Sequence, residues 1–394
     1  MLVPLTNVLD AEFRSNPAYE LIEFQRLSDS EQAALSETLS VDECFALLRP
    51  RVDCGLPTKA VCKDTALLFY TLASPGRLPA FAIRRADATL NEQIAGLVLD
   101  GVLQIAHDNG FVSGAESHHL IYEREDTVEN LSRIARISLE ALRFGQVLPI
   151  NDPLLLSAQL YFYNRVPVTP RWHRRIGDEA ALSRFLGIDA GPLAQRLRSE
   201  WKESAPSPEM PSWRKWSLRN ATHRGCSETY CYKIYLSPAF EAIPDVLPTT
   251  VDVLTENGVP HFKVGADLAG ICRADKIVAY LDSFEQVDEV SRMLDTRLAD
   301  VPVQGVPFTA DLRRDGLISW GMDPRQSPVV KRQERRSWRS WITDRLASAL
   351  IHARDAARPQ VQPWRFAMER LRLEGIDTDT WTPLMSDWQR FRPN

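Results

Sequence analysis

Two short segments in the second half of the chain alternate apolar and polar residues with a period of two, which commits them to strands. They are Tyr232-Lys233-Ile234-Tyr235-Leu236-Ser237 and His261-Phe262-Lys263-Val264. Side chains alternate faces along a strand, so Lys233 and Tyr235 share one face with Ile234 and Leu236 behind them. His261 and Lys263 likewise share a face, backed by Phe262 and Val264. The two lysines lie thirty residues apart, and Arg273 follows Lys263 by ten, leading into a third strand, Lys276-Ile277-Val278-Ala279-Tyr280-Leu281. Such a sheet carries a core on one side and a cationic, proton-transferring set without metal ligands on the other. It suits an anionic substrate, phosphate first.

At 394 residues the chain is long enough for two or three domains. Its hydrophobic share of 44% and charged share of 25% are those of a soluble globular protein. A net charge of −5 argues against a general nucleic-acid binder. No apolar run is long enough to cross a membrane, and the start, MLVPLTNVLDAEFR, lacks the basic and apolar regions of a secretory signal. The expected compartment is the cytoplasm, with type III secretion as the other route. The cysteines Cys44, Cys54, Cys62, Cys226, Cys231 and Cys272 form no CxxC pair and no zinc-knuckle spacing, so reduced thiols are expected. The adjacent His118 and His119 project differently and read as surface residues, and no metal or organic cofactor is expected.

The fold class expected is α+β, with a mostly helical N-terminal half. Residues 1–57 read as helix and loop, with capping character at Ser28-Asp29-Ser30-Glu31. A helix over Thr58–Leu72, a second over Thr89–Leu99 and a small hairpin turning at Asp108-Asn109-Gly110 have the layout of a winged helix over residues 58–114. Its second helix is acidic, which favours a peptide or protein partner over DNA. Further helices start at Asp126/Thr127, Asp152-Pro153 and Asp178. The Pro/Ser-rich stretch beginning at Glu203 reads as a linker. The organisation expected is therefore 1–125, 126–202, a linker at 203–225 and a catalytic domain at 226–394. Helices are expected there over Thr249–Glu256, Phe284–Leu298, Trp338–Asp355 and Trp364–Glu374.

A lysine is a useful base only when its pKa falls from about 10.4 towards neutrality, and burial and neighbouring cations both push it down. The same cations attract a phosphate dianion, which arginine grips bidentately. A lysine base beside a bound phosphomonoester fits β-elimination: the base takes the Cα proton, a cation steadies the developing enolate, and phosphate leaves. A merely solvated sheet face carries the same alternation.

Lys233-Ile234-Tyr235-Leu236-Ser237 resembles the Lys-Phe-His-Leu-Ser strand of the phosphothreonine lyases among type III effectors, and Phe262-Lys263-Val264 resembles their Trp-Lys-Val motif, which carries the base lysine. A longer stretch, about residues 230–383, resembles the Hop-A-type effector family and its relatives in lanthipeptide and thioamitide biosynthesis. It includes Arg273-Ala274-Asp275-Lys276-Ile277-Val278-Ala279-Tyr280, Pro307-Phe308-Thr309, Gly316-Leu317, Asp323-Pro324, Asp344 to Leu350 and Glu374-Gly375-Ile376-Asp377. The resemblance implies a phospholyase-like domain that makes dehydroalanine or dehydrobutyrine from a phosphorylated precursor peptide, with a kinase-like partner protein. It implies Lys263 as base, Lys233 as its cationic companion, and Arg273, Arg345, Lys276 and Tyr280 around the phosphate. Arg335, Arg336 and Arg339 rival Arg345. Tyr235 stands where the effector lyases have a general-acid histidine, so Tyr235 and His261 are the candidate acids. The other readings are a secreted effector acting on a host phosphoprotein, and a phosphopeptide-binding protein without catalysis.

Overall fold

Seven strands form the central sheet, every neighbouring pair antiparallel. They are β1 (Trp201–Glu203), β2 (Trp213–Leu218), β3 (Tyr232–Leu236), β4 (His261–Gly265), β5 (Ile277–Leu281), β6 (Ala310–Arg313) and β7 (Ile318–Met322), in the order β6-β7-β3-β5-β4-β2-β1. The computed structural model describes residues 5–38, 44–51, 57–84, 89–122, 131–205, 212–221, 232–313, 315–324, 337–356 and 361–384. The chain is mixed α and β, as its patterning predicts.

The three predicted strands form close to their predicted bounds, with the predicted faces. Ile234, Leu236, Phe262, Val264, Ile277, Ala279 and Leu281 belong to the main core with β7's Ile318, Trp320 and Met322. Helices α2 (Gly191–Glu200), α3 (Ile243–Glu256) and α4 (Phe284–Arg297) supply Leu193, Leu197, Val246, Val251, Leu254, Val287, Val290 and Leu294 to the same core. Fully burying one such side chain is worth about 1.5–3 kcal/mol, which fixes the register of the central strands. A one-residue slip would drive Lys233 and Lys263 into that core.

The opposite face is covered as well. Helix α1 (Pro153–Tyr161) and helix α5 (Trp338–Arg354) pack together there, and helix α6 (Pro363–Arg372) lies along α5. Asp152 caps α1 with Pro153 in its first turn, as the sequence predicts. Ser157 Oγ then ties α1 to α5 through Thr343 Oγ1 (2.9 Å) and Asp344 Oδ1 (2.7 Å). Gly321 on β7 has no side chain where Trp338 lies: a Cβ there would come within 2.5 Å of the indole.

Four expectations need correction. Residues 1–57 hold the helix Asp29–Thr38, with Ser28 and Glu31 forming the capping box, but also strands at Phe13–Ser15, Tyr19–Glu23 and Ala46–Pro50. Those strands are short, and their partners lie far along the chain: Phe13–Ser15 pairs with Leu103–His107, and Ala46–Pro50 with both Tyr19–Glu23 and Lys59–Val61. The expected helix over Thr58–Leu72 is a strand, Lys59–Val61, followed by a helix, Lys63–Thr71. Within the expected linker, Trp213–Leu218 is a strand of the central sheet, paired with β4. Its Trp216 stacks on Phe262 at 5.0 Å, so cross-strand burial outweighs the flanking prolines and serines. His118 is buried, 5% exposed, and hydrogen-bonded to Glu369 of α6, while His119 is exposed. The helix Leu90–Leu99 and the hairpin Leu103–His107/Gly110–Val112 form where predicted. The helix start predicted at Asp126/Thr127 lies outside the described residues.

Candidate active site

Register brings the candidate side chains together in two adjacent rows. Across β4, β5, β3 and β7, one row runs His261, Tyr280, Lys233, Gly321, and the next runs Lys263, Val278, Tyr235, Ser319. Lys233 and Lys263 therefore share a face. Their ammonium groups lie 5.3 and 5.6 Å from the centre of the same Tyr280 ring.

Lys263 is half-buried, with its Nζ 4.1 Å from the centre of the Trp213 ring. It makes no hydrogen bond or ion pair with another described residue. Burial pushes its pKa down to about 8, with Asp275 and Asp323 opposing the shift and Arg273 adding to it. Aromatic faces attract the cationic form but hold no proton. A substantial neutral fraction near physiological pH follows.

Lys233 is built differently. It is 5% exposed, and its Nζ donates to Asp323 Oδ1 at 2.7 Å. Asp323 Oδ1 also accepts the backbone N–H of Trp338, at the start of α5 (2.8 Å). Lys233 is thus a fixed positive charge anchored to a helix N-terminus.

Arg273 arrives from the far end of β4. Gly265 and Gly270 are pressed together so closely that a Cβ on Gly265 would lie 2.4 Å from the Gly270 backbone, and Asp267 caps the single turn Leu268–Ile271 through Gly270 N. Arg273 Nε and Nη2 then donate to Asp275 at 2.8 and 2.9 Å, and Nη2 also donates to Tyr161 Oη at 3.1 Å. The guanidinium carbon sits 4.7 Å from the Trp213 ring, 5.2 Å from Phe162 and 5.3 Å from Tyr161. Asp275 pairs with Arg339 as well (2.9 Å) and accepts from Tyr161 Oη (3.0 Å). Burial alone would raise the Asp275 pKa; Arg339 and Arg273 outweigh it and hold the carboxyl well below the usual range. Among the described residues, the carboxylates that pair with or act on Lys233, Lys263, Arg273 and Arg339 are Asp275 and Asp323.

The other sequence candidates fall in different places. Tyr235 is 3% exposed, its hydroxyl makes no hydrogen bond with another described residue, and burial raises its pKa well above 10, which weakens it as an acid. Tyr280 is also raised, by burial, with Lys233 opposing. His261 Nδ1 is hydrogen-bonded to Ser217 Oγ at 2.9 Å, and burial lowers its pKa, favouring the neutral ring. Lys276 is fully buried and donates to Pro238 O at 2.9 Å and Gln304 Oε1 at 2.5 Å; burial pushes it down to about 7. Arg345 pairs with Glu374 and stacks on Trp341 at 3.7 Å, sharing no partner with Arg273, Lys233 or Lys263 among the described residues. Arg339, its rival by sequence, is the arginine of α5 that reaches Asp275. Arg335 and Arg336 lie outside the described residues.

Sequence reasoning missed Tyr161 and Trp213. Trp213 hides inside the stretch read as a linker, and Tyr161 comes from a helix more than a hundred residues before Arg273. Asp275 and Asp323 appear only inside motifs, with no role attached. Among the described residues no three His, Cys, Asp or Glu side chains are grouped to hold a metal ion, and no helix is long and apolar enough to cross a membrane.

No family model and no curated protein matches the chain. Among solved structures, effector proteins of Pseudomonas syringae pv. tomato strain DC3000 and pv. syringae strain 61 each give a TM-score of 0.37, at 9% and 10% identity, covering 64% of this chain and 98% of theirs. The Chromobacterium violaceum VirA (SpvC) phosphothreonine lyase effector gives 0.24 at 12% identity, covering 31% of this chain and 65% of its own. Likenesses this remote carry no weight in assigning a function.

Proposed function

We propose that the chain is a phospholyase that removes phosphate from phosphoserine or phosphothreonine in a peptide by β-elimination. One observation carries the reading: Lys263 is a lysine drawn down to about 8, free of any hydrogen bond or ion pair among the described residues, on a face where Lys233 and Arg273 are each held by a carboxylate. Neutral Lys263 takes the Cα proton. The Cα–H electrons become the Cα=Cβ bond, the Cβ–O bond breaks, and phosphate leaves with that electron pair. Lys233 steadies the enolate oxygen, and Arg273 holds the phosphate with Arg339 behind it. Tyr235 keeps its proton and serves as a hydrogen-bond donor to the departing oxygen.

The product is dehydroalanine or dehydrobutyrine. A phosphorylated precursor peptide of a modified-peptide pathway, supplied by a kinase-like partner and recognised by the winged-helix-like region, is the substrate this reading favours over a host phosphoprotein. Incubation with a phosphothreonine peptide, followed by mass spectrometry, should show loss of phosphoric acid. An intact peptide, including when a kinase and precursor are co-expressed, contradicts catalysis. A second reading, phosphopeptide binding without elimination, is favoured by two observations: Lys233 and Arg273 already have carboxylate partners, and Tyr235 is a weak acid. Tight binding with no mass loss would select it.

A further inference from the structure

We infer that Tyr161, from the helical segment ahead of the sheet, is a positioning residue that aims Arg273 at the substrate phosphate. The inference rests on the phospholyase reading and extends its phosphate site to a residue outside the catalytic region.

The geometry is asymmetric. Asp275 takes the Nε and Nη2 side of the Arg273 fork, and Tyr161 Oη accepts from Nη2 while donating to Asp275. Nη1 makes no hydrogen bond with another described residue. A guanidinium chelated on one side has its remaining donors fixed in direction. Trp213, Phe162 and Tyr161 box it in, so it cannot swing away. Nη1 is therefore the donor left for an incoming anion.

Tyr161 is itself over-determined. Burial, then Asp275, pushes its pKa up to about 12, so its proton stays in the Asp275 hydrogen bond. Its carbonyl accepts from Arg339 Nη2 at 2.6 Å, and its ring lies 4.4 Å beneath the Arg339 guanidinium. The chain just after it is pinned to the sheet region: Asn164, at φ +62°, donates to Gln304 O and Gly305 O, and Val166 N donates to Cys272 O, next to Arg273. A strap held at this many points positions its tyrosine rather than merely covering the site.

The test is a phosphate titration of the full chain at constant ionic strength, by calorimetry at 10 °C, with a thermal melt and circular dichroism of each protein. Tyr161→Phe keeps the ring over both guanidinium groups and removes only the hydroxyl. It should weaken inorganic phosphate binding roughly tenfold, the scale of a hydrogen bond to a charged group. In an Arg273→Lys background, where there is no fork to aim, the same substitution should have no further effect. With a phosphothreonine peptide it should raise KM and leave kcat nearly unchanged. Wild-type affinity in Tyr161→Phe overturns the inference. So does an undiminished loss in the Arg273→Lys background, and so does a wild type that binds no phosphate. Phosphate binding needs no elimination, so binding results as expected together with an inert phosphopeptide would sink the lyase reading alone.

Discussion

Lys263 and Arg273 are ten residues apart and lie against the same indole, yet their surroundings are opposite. At the Arg273 end, two arginines, one aspartate and one tyrosine hold one another in place, and Asp275 is held ionised by its neighbours. At the Lys263 end, the ammonium has aromatic rings for company and burial undermines its charge. The first arrangement fixes charge and direction, as phosphate binding requires. The second leaves a proton easy to lose, as a base requires.

The largest effect that would break the comparison lies at the base. Lys263→Ala should cut elimination about 10²–10⁴-fold, the range of a positioned general base, while the melting temperature holds or rises slightly. Phosphate release from a phosphothreonine peptide and a thermal melt measure the two sides; a loss of activity below tenfold would move the base elsewhere. Asp275→Ala is the converse. It strands Arg273 and Arg339 without their anion, and urea unfolding should show a loss of about 3–5 kcal/mol, the cost of breaking a buried ion pair. Tyr235→Phe should lower the rate by about tenfold or less, since a hydrogen bond rather than a proton is lost. A hundredfold loss would make Tyr235 the acid that its raised pKa argues against.

The smallest effect concerns Lys276. Its folded pKa, about 7, lies below the unfolded value of about 10.4. Between those values the unfolded chain binds more protons, so stability rises with pH across the window. Wild type should therefore have a higher urea midpoint at pH 9 than at pH 7, and Lys276→Met should show a smaller gain. An identical gain in the variant would remove Lys276 from that window.

The sequence made the strands and their faces legible because alternation is local: Lys233 with Tyr235 and His261 with Lys263 need no distant information. It also pointed to Arg273 by distance along the chain. It could not separate Arg345 from Arg339, since both lie on the same predicted helix and only the packing of α5 against α1 decides which reaches Asp275. The carboxylates that divide the site into two halves were equally hidden, because Asp275 acquires its meaning from Tyr161 and Arg339, on either side of it in sequence and far away. Strands such as Phe13–Ser15 escaped for the same reason, being three residues long and stabilised by a partner ninety residues on.

The most direct measurement is the pH dependence of kcat/KM for elimination from a phosphothreonine peptide. On the proposed mechanism the neutral form of Lys263 takes the Cα proton, so kcat/KM should rise with pH, bend near the value of about 8 set by its burial, and level off above it. A profile that is flat from pH 6 to 9, or one that falls through this range, would contradict Lys263 as the base.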